Sequence, residues 1–570
     1  VSAAPSGGLA LPRWRRAVLP AAVVAGALMM ALCFLWPIFS NAWSQTHDMV
    51  AYPVRAIEYV AGWRSGAFWP RWAPDLYGGF GCPLFNFYAP GLFVVSGIFM
   101  LFGASAVWAL KLALIVLTAA GAAGVFGVVY HERRRADAAA VAAAVFVFMG
   151  YHVTLVFVRG DLAEYSAICL TPSVIWAYRA LGRVSPSQLL PVGLAAAFLH
   201  AATLLVHTLT GQWLTELLAI IAAVAAWPAL RRRDRARVIA IGVTFVCACG
   251  LTAIYTVPAL LERPLVHIER MTEGGLATTR NLIPLAHLSS VGFFYVGWAM
   301  ISLPLFFVAV LVRRRRIVRD LLVWTALAVL MLLLMLPLAK PVWSWLPFGA
   351  YIQFPWRLLG FLSVFGALAW GSVWSELVPD RRIIAWTLAV VATGAVVYNG
   401  RANMPVLAPI PDYQIPASAA DIGHGIHSTV ISDEYVPRVV PVAPNYPRSA
   451  FVVAHDGNGI ESSLRSGTGY RLEVSADAGS TVDVRALFFP GWKVSVRGGP
   501  AGVTLEPSEA GFVRVRFPVK GYYRIYVYFG LTPLRAAATA ASFVSLLVLV
   551  VALRRLRRDM APAPAIGNIG

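Results

Sequence analysis

The chain has 570 residues, 59% hydrophobic and 13% charged, with a mean hydropathy of +0.70. That composition excludes a soluble enzyme with a large core and indicates a polytopic α-helical membrane protein. The net charge of +20 does not point to nucleic acid, because 22 of the 47 lysines and arginines fall in six clusters at the ends of apolar runs. The clusters at 13–16, 133–135, 231–237, 313–319, 381–382 and 554–558 are topological charge, holding loops in the cytoplasm.

A spanning helix needs about 20 apolar residues. The runs that qualify are 17–39, 106–130, 137–158, 166–182, 188–205, 211–229, 238–258, 290–312, 320–338, 357–376, 383–399 and 533–553. No small-residue cleavage site follows the first run, so it is expected to be a retained helix. It ends in SQTHDMVAYPVRAIEYVAGW, residues 44–63, where His47-Asp48 precedes a helix with Pro53 in its first turn. Val54, Ile57 and Ala61 share one face of that helix, and Trp63, Phe68, Trp69 and Trp72 follow, as in an interfacial helix with an aromatic belt. Such a helix holds Asp48 at the membrane surface, where a carboxylate can take a proton from an acceptor hydroxyl. The plainer alternative is that Asp48 caps the helix.

The stretch FYAPGLFVVSGIFMLFG, 87–103, is a further apolar run. If it spanned, the clusters at 133–135, 231–237 and 313–316 would all fall outside, so it is read as a hairpin or interfacial helix on the outer face. This gives about twelve spans with both termini in the cytoplasm. Residues 40–105, 159–164, the turn at His207, and the segments 259–289, 339–356 and 400–532 then lie on the outer face.

Three of these loops carry further candidates. In FVRGDLAEYSA, 157–167, Asp161 and Glu164 are three apart and share a face of a helix. They suit a divalent cation, sugar hydroxyls or the orientation of Arg159; the alternative is a structural ion pair. In KPVWSWLPFGAYIQFPWRLLGF, 340–361, Arg357 opens a span close to Gln353. An arginine at that depth is costly without a partner, and its guanidinium can hold a lipid phosphate through two hydrogen bonds; snorkelling is the alternative. Weaker candidates are His207 in LLVHTLTGQW, His267 and Glu269 in ERPLVHIERMTEGG, Tyr52 and Arg55 on the interfacial helix, and His47 beside Asp48. The 259–289 loop, with Gly274-Gly275, is expected to be a mobile substrate loop. The five cysteines lack metal spacing and read as small packed hydrophobes.

Residues 1–400 thus form a transmembrane domain. Beyond them hydropathy drops and the period changes to two in YRLEVSA (470–476), TVDVRALFF (481–489), WKVSV (492–496), FVRVRF (512–517) and YYRIYVYF (522–529). Residues 401–532 are therefore expected to be a small extracytoplasmic antiparallel β-sandwich, fed by a looser stretch at 401–450 that includes the acidic turn SDEYVP. A last span, 533–553, and a basic cytoplasmic tail, 554–570, complete the chain.

The segments HDMVAYPVR, WAPDLYGGFGCPLFNFYAPG, RGDLAEYSA, YIQFPWRL, DEYVP and FFPGWKVSV occur in one order along nearly the whole chain. In this the chain resembles the GT-C class of integral-membrane glycosyltransferases and, more closely, the bacterial membrane proteins called 6-pyruvoyl-tetrahydropterin synthase-related, together with YfhO-like proteins. The resemblance implies no pterin chemistry. It implies a polyprenyl-phosphate sugar as donor, a glycan, lipid or protein as acceptor, and a catalytic base in the first outer loop, at Asp48, with inversion of the anomeric carbon. It also makes 52–65 and 87–103 juxtamembrane helices and places the enzyme in the bacterial inner membrane. Leaving-group charge would fall to Arg357, Arg159 and Gln353, or to a metal. The first loop carries His47-Asp48 where many members have a DxD pair, so Asp161, Glu164 and His47 are the candidate metal ligands. The competing functions are a transporter or flippase of lipid-linked glycans and a non-catalytic cell-envelope assembly factor. The first predicts midplane charges and repeat symmetry; neither is visible here.

Overall fold

A computed structural model describes residues 13–40, 43–284, 287, 297–346, 349–405, 407, 433–441, 452–455, 458–466 and 468–560. Among them, seven helices are long and apolar enough to cross a membrane, or up to ten if each of three bent pairs counts as one span. The straight ones include α1 (Arg13–Ser40), whose apolar part begins at Pro20, and Ala106–Arg133. The expected count of about twelve is not confirmed among the described residues. Two expected spans are not among these: Leu162–Leu181 carries Glu164 and Arg179, and of the run 290–312 the residues 290–296 lie outside the described residues, leaving Trp298–Arg314. The bent pairs, among them Ala136–Val147 with Gly150–Arg159 at 41°, lie where single straight spans are expected.

The arginine clusters at 133–135 and 313–319 meet at one end of the bundle. Arg133 and Arg314 both pair with Glu376, and Arg179 pairs with Glu132. Helices 106–133 and 298–314 stop on a left-handed arginine, Arg134 at φ 57° and Arg315 at φ 49°, where glycine is usual. Each arginine places its charge at the negative end of the helix dipole.

At the opposite end, α2 (Ala51–Arg64) follows the Asp48 turn. It does not lie open on a lipid surface: Tyr52 through Val60 are all buried. Its own following loop covers it, with Gly62 against Pro70 and Glu58 accepting the Asp75 backbone N–H at 3.0 Å. The expected non-spanning run forms α3 (Gly91–Leu101), eleven residues and too short to cross. Gly91 is required there, because a Cβ would run into the Leu205 carbonyl.

The β-domain is two four-stranded antiparallel sheets. One has the order β1 (Val452–Ala454), β4 (Thr481–Leu487), β7 (Phe512–Arg516), β6 (Thr504–Pro507). The other has β2 (Gly459–Ser466), β3 (Gly469–Ala476), β8 (Gly521–Phe529), β5 (Trp492–Gly498). All five expected strands form. Alternation puts Leu472, Val474, Val482, Val484, Val513, Val515, Ile525 and Val527 in the core. Most of the feeding stretch 401–450 lies outside the described residues; Asp433–Tyr435 forms one short turn.

The domain is seated on the membrane helices. Trp72 packs on Trp492 and Phe529, Phe80 packs on Phe512, and Asp75 pairs with Arg465 at 2.6 Å. Beneath it, Glu262 accepts from Asn86 at 2.7 Å and from Arg535, a fully buried residue in the first turn of the last helix, Pro533–Asp559.

Candidate functional site

The segment Thr154–Arg159 is a π-helix, ending in Gly160 at φ 70°. Its extra residue per turn swings Arg159 inward, and π-helical turns recur at functional sites. Gly160 is needed for conformation and for space: a Cβ there would overlap Thr46 Oγ1 and crowd Met49. The 43–50 turn can therefore lie directly on the helix end, and the Asp48 backbone N–H donates to the Arg159 carbonyl at 2.9 Å. Asp48 and Arg159, far apart in sequence, become neighbours through two peptide groups.

Arg159 is committed. Nη2 pairs with Asp161 Oδ2 and Nη1 with Glu164 Oε2, each at 3.1 Å, and its guanidinium lies 4.5 Å from the Trp356 ring. Asp161 caps the helix 162–181 by accepting the Glu164 N–H, and it accepts the Tyr52 hydroxyl at 3.2 Å. Burial alone would raise the Asp161 pKa, but Arg159, His207 and Arg357 hold it below the ordinary carboxylate value. Glu164 also receives the Tyr151 hydroxyl at 2.6 Å and faces Arg357 Nε at 3.1 Å. The Tyr52 hydroxyl accepts from the Ala163 N–H and from Tyr88.

Two charged groups stand apart from this lattice. Asp48 is half-buried and makes no side-chain hydrogen bond or ion pair among the described residues. It does not cap α2, whose first residue follows Val50 with no side-chain cap. Burial and the neighbouring Asp161 carboxylate raise its pKa, against the pull of Arg159, Arg55 and Arg357. Arg55 is buried, with its guanidinium 4.3 Å from the Tyr88 ring and no carboxylate paired to it among the described residues.

Asp48, Tyr52, Arg55, Arg159, Asp161, Glu164, His207 and Arg357 thus converge. Four candidates lie elsewhere. His47 is exposed. Gln353, in a left-handed conformation at φ 57°, donates to the Met271 carbonyl at 2.7 Å and ties loop to loop. His267 and Glu269 form an outlying group in which Glu269 receives Arg438 at 2.5 Å, next to a bridge between Val266 and Pro437. The sequence reading does not single out Tyr88, Tyr151 and Trp356; only Trp356, adjacent to Arg357, carries a local signal.

His207 takes the place expected of His47 beside the acids. With Asp161 and Glu164 it offers ligand atoms within 4.8 Å of one another, a spacing that suits a metal ion. The donor set fits one poorly. Both carboxylates already hold guanidinium groups, and His207 Nδ1 is already engaged by Thr210, whose Oγ1 lies at 2.8 Å and whose N–H donates to it at 3.3 Å.

Beside the helix break at Met149-Gly150, a cavity of about 340 Å³ opens between membrane helices, lined by Val145, Phe148, Trp298, Trp370, Ala392 and Asn399.

The fold and the site define a polytopic helical membrane protein with a buried polar cluster at helix ends and a β-sandwich seated on its membrane helices. The family described as 6-pyruvoyl-tetrahydropterin synthase related domain, membrane protein, matches residues 85–400, more than half of the chain, and the chain belongs to that family. No curated protein matches it. Among solved structures it is similar to ArnT from Cupriavidus metallidurans bound to undecaprenyl phosphate: 16% identity, 71% of this chain, 68% of that chain, TM-score 0.40. It is also similar to the mycobacterial arabinofuranosyltransferase AftD: 16% identity, 71% of this chain, 28% of that chain, TM-score 0.38.

Proposed function

We propose that the protein is a GT-C glycosyltransferase that moves a sugar from a polyprenyl-phosphate donor to an acceptor hydroxyl at the outer face of a bacterial inner membrane. One observation carries the reading: a carboxylate, Asp48, and a guanidinium, Arg55, neither with an ion-pair partner among the described residues, share a cluster whose other charges are paired. The order of motifs along the sequence supports it independently.

In this reading Asp48 takes the proton of the acceptor hydroxyl as its oxygen attacks the anomeric carbon. The bond from that carbon to the phosphate oxygen breaks, and the phosphate leaves with the electron pair. Attack opposite the leaving group inverts the centre. Phosphate needs cationic groups to receive its charge rather than a strong acid. Arg55 is the first of these. Arg357 is the second, since its Nε faces Glu164 while Nη2 makes no hydrogen bond among the described residues. Arg159, already spent on two carboxylates, positions Glu164 and Asp161. The apolar cavity beside Gly150 would take part of the prenyl chain, and no metal ion is needed.

The test is donor consumption by purified protein in nanodiscs, supplied with a panel of polyprenyl-phosphate sugars and a crude cell-envelope glycan fraction. The expected result is release of free polyprenyl phosphate from one donor. Folded protein that releases none from any donor overturns the proposal.

A further inference from the structure

The outward face of the β2-β3-β8-β5 sheet takes no part in the site above. Alternation on β8 points Tyr522, Arg524, Tyr526 and Tyr528 away from the sandwich core. Tyr526 lies across the neighbouring strand: a Cβ on Gly469 would come within 2.6 Å of its hydroxyl, so glycine at 469 lets the ring lie flat. The Tyr528 ring is within 14° of parallel to it, with centroids 5.4 Å apart. The register sets Arg471 and Ser495 on either side of Tyr526, and Gly469 and Lys493 on either side of Tyr528. Arg497 stands 5.6 Å from the Tyr526 ring centroid. Arg471, Lys493 and Arg497 are exposed, and none has a carboxylate partner among the described residues. The acids of this face, Glu461 and Glu473, are at the other end, bonded to Ser475 and Tyr522. The basic half is also the membrane-proximal half: β8 ends at Phe529 and the last helix begins at Pro533.

We propose that this half-face binds an anionic glycan, one whose sugar rings carry carboxylate or phosphate groups. Flat tyrosine rings accept the C–H faces of pyranose rings, and three unpaired cations match acidic substituents on the same chain. A glycan rising from the membrane surface would meet this patch as it leaves the level of the cluster. The assignment deepens the transferase reading by giving the acceptor a chemical class, yet it concerns binding and is tested without turnover.

The probe is a galacturonic-acid oligomer, with a maltose oligomer as neutral control, titrated onto full-length protein in phosphatidylcholine nanodiscs. Wild type is expected to bind the acidic oligomer at least about tenfold more tightly than the neutral one, with affinity falling as salt rises. The double substitution Tyr526→Ala, Tyr528→Ala should lose at least about tenfold in affinity, as should Arg471→Gln with Lys493→Gln. Tyr526→Phe with Tyr528→Phe should retain binding, which separates loss of a platform from loss of fold. Asp48→Asn should bind as wild type does, so failure of the transferase reading would not mimic failure here. Equal affinity for both oligomers, no binding by wild type, or unchanged binding by the alanine pair each overturns the proposal. So does thermal stabilisation by phosphatidylglycerol that the alanine pair abolishes without any glycan binding, which would assign the face to lipid headgroups.

Discussion

Asp48 costs the folded protein something when it ionises, because burial and Asp161 disfavour its charge. A carboxylate whose folded pKa is raised weakens the fold once pH exceeds its unfolded value, and the cost disappears when both states are protonated. Asp48→Asn should therefore melt no lower than wild type at neutral pH, with the difference closing toward acid; a clearly lower melting temperature at pH 7 would mean the carboxylate holds the turn together. The same shift predicts that kcat/KM of the wild type falls on acidification at a pH above 3.8, the ordinary aspartate value. Arg55→Gln should raise KM for the donor and lower kcat by about 10²–10³, the cost of removing one charge-stabilising donor. An unchanged KM would move phosphate binding to Arg357. Much of this cluster is legible in the sequence, because a charge flanked by apolar runs needs a reason: Asp48, Arg159, Asp161, Glu164 and Arg357 all stand out that way. What is not legible is which of them are already spent. Arg159 reads equally as a phosphate ligand and as an ion-pair partner until Asp161 and Glu164 are seen on its two Nη groups, and Arg55 is only a weak candidate until α2 is seen buried.

At the scale of elements, the joint between the 43–50 turn and the π-helix decides whether the cluster exists. Gly160→Ala forces a left-handed alanine, costing about 1–2 kcal/mol, and adds a clash with Thr46 and Met49. We expect a drop in melting temperature and a loss of transfer larger than that drop explains, since Asp48 is displaced; wild-type activity in this variant would show that the turn adapts freely. The π-helix is invisible in TLVFVR, which reads as the apolar end of a straight span. The burial of α2 is equally hidden, because the groups that cover it, Asp75 and Tyr88 from the chain that follows and Arg465 from the β-domain, lie beyond its own periodicity. Local periodicity carries no information about such contacts. Strand β2, GIESSLRS, lacks the alternation that reveals β3 and β8, and it pairs because β3 presents a long edge to it.

The whole molecule depends on keeping the sandwich and the last helix fixed over the cluster. Glu262 receives two nitrogens of the fully buried Arg535, and Arg71 reaches the same group through Asn86. Removing Glu262 alone strands a buried guanidinium, so Glu262→Leu should destabilise by about 3–5 kcal/mol, while Glu262→Leu with Arg535→Leu should recover most of the loss. Thermal melts in detergent read both, and a mild single variant would show that water already reaches the pair. The division into a membrane domain and a β-sandwich follows from hydropathy and period alone, whereas the count of spans does not. Bent helix pairs and a buried glutamate inside an apolar run blur that count.

The measurement closest to the central claim is sugar transfer by Asp48→Asn beside wild type, in nanodiscs, with donor and acceptor saturating. The substitution keeps the shape of the side chain and removes the base. The expected result is a fall in kcat of about 10²–10⁴ with donor affinity and melting temperature preserved. A folded Asp48→Asn that transfers sugar at the wild-type rate would contradict it.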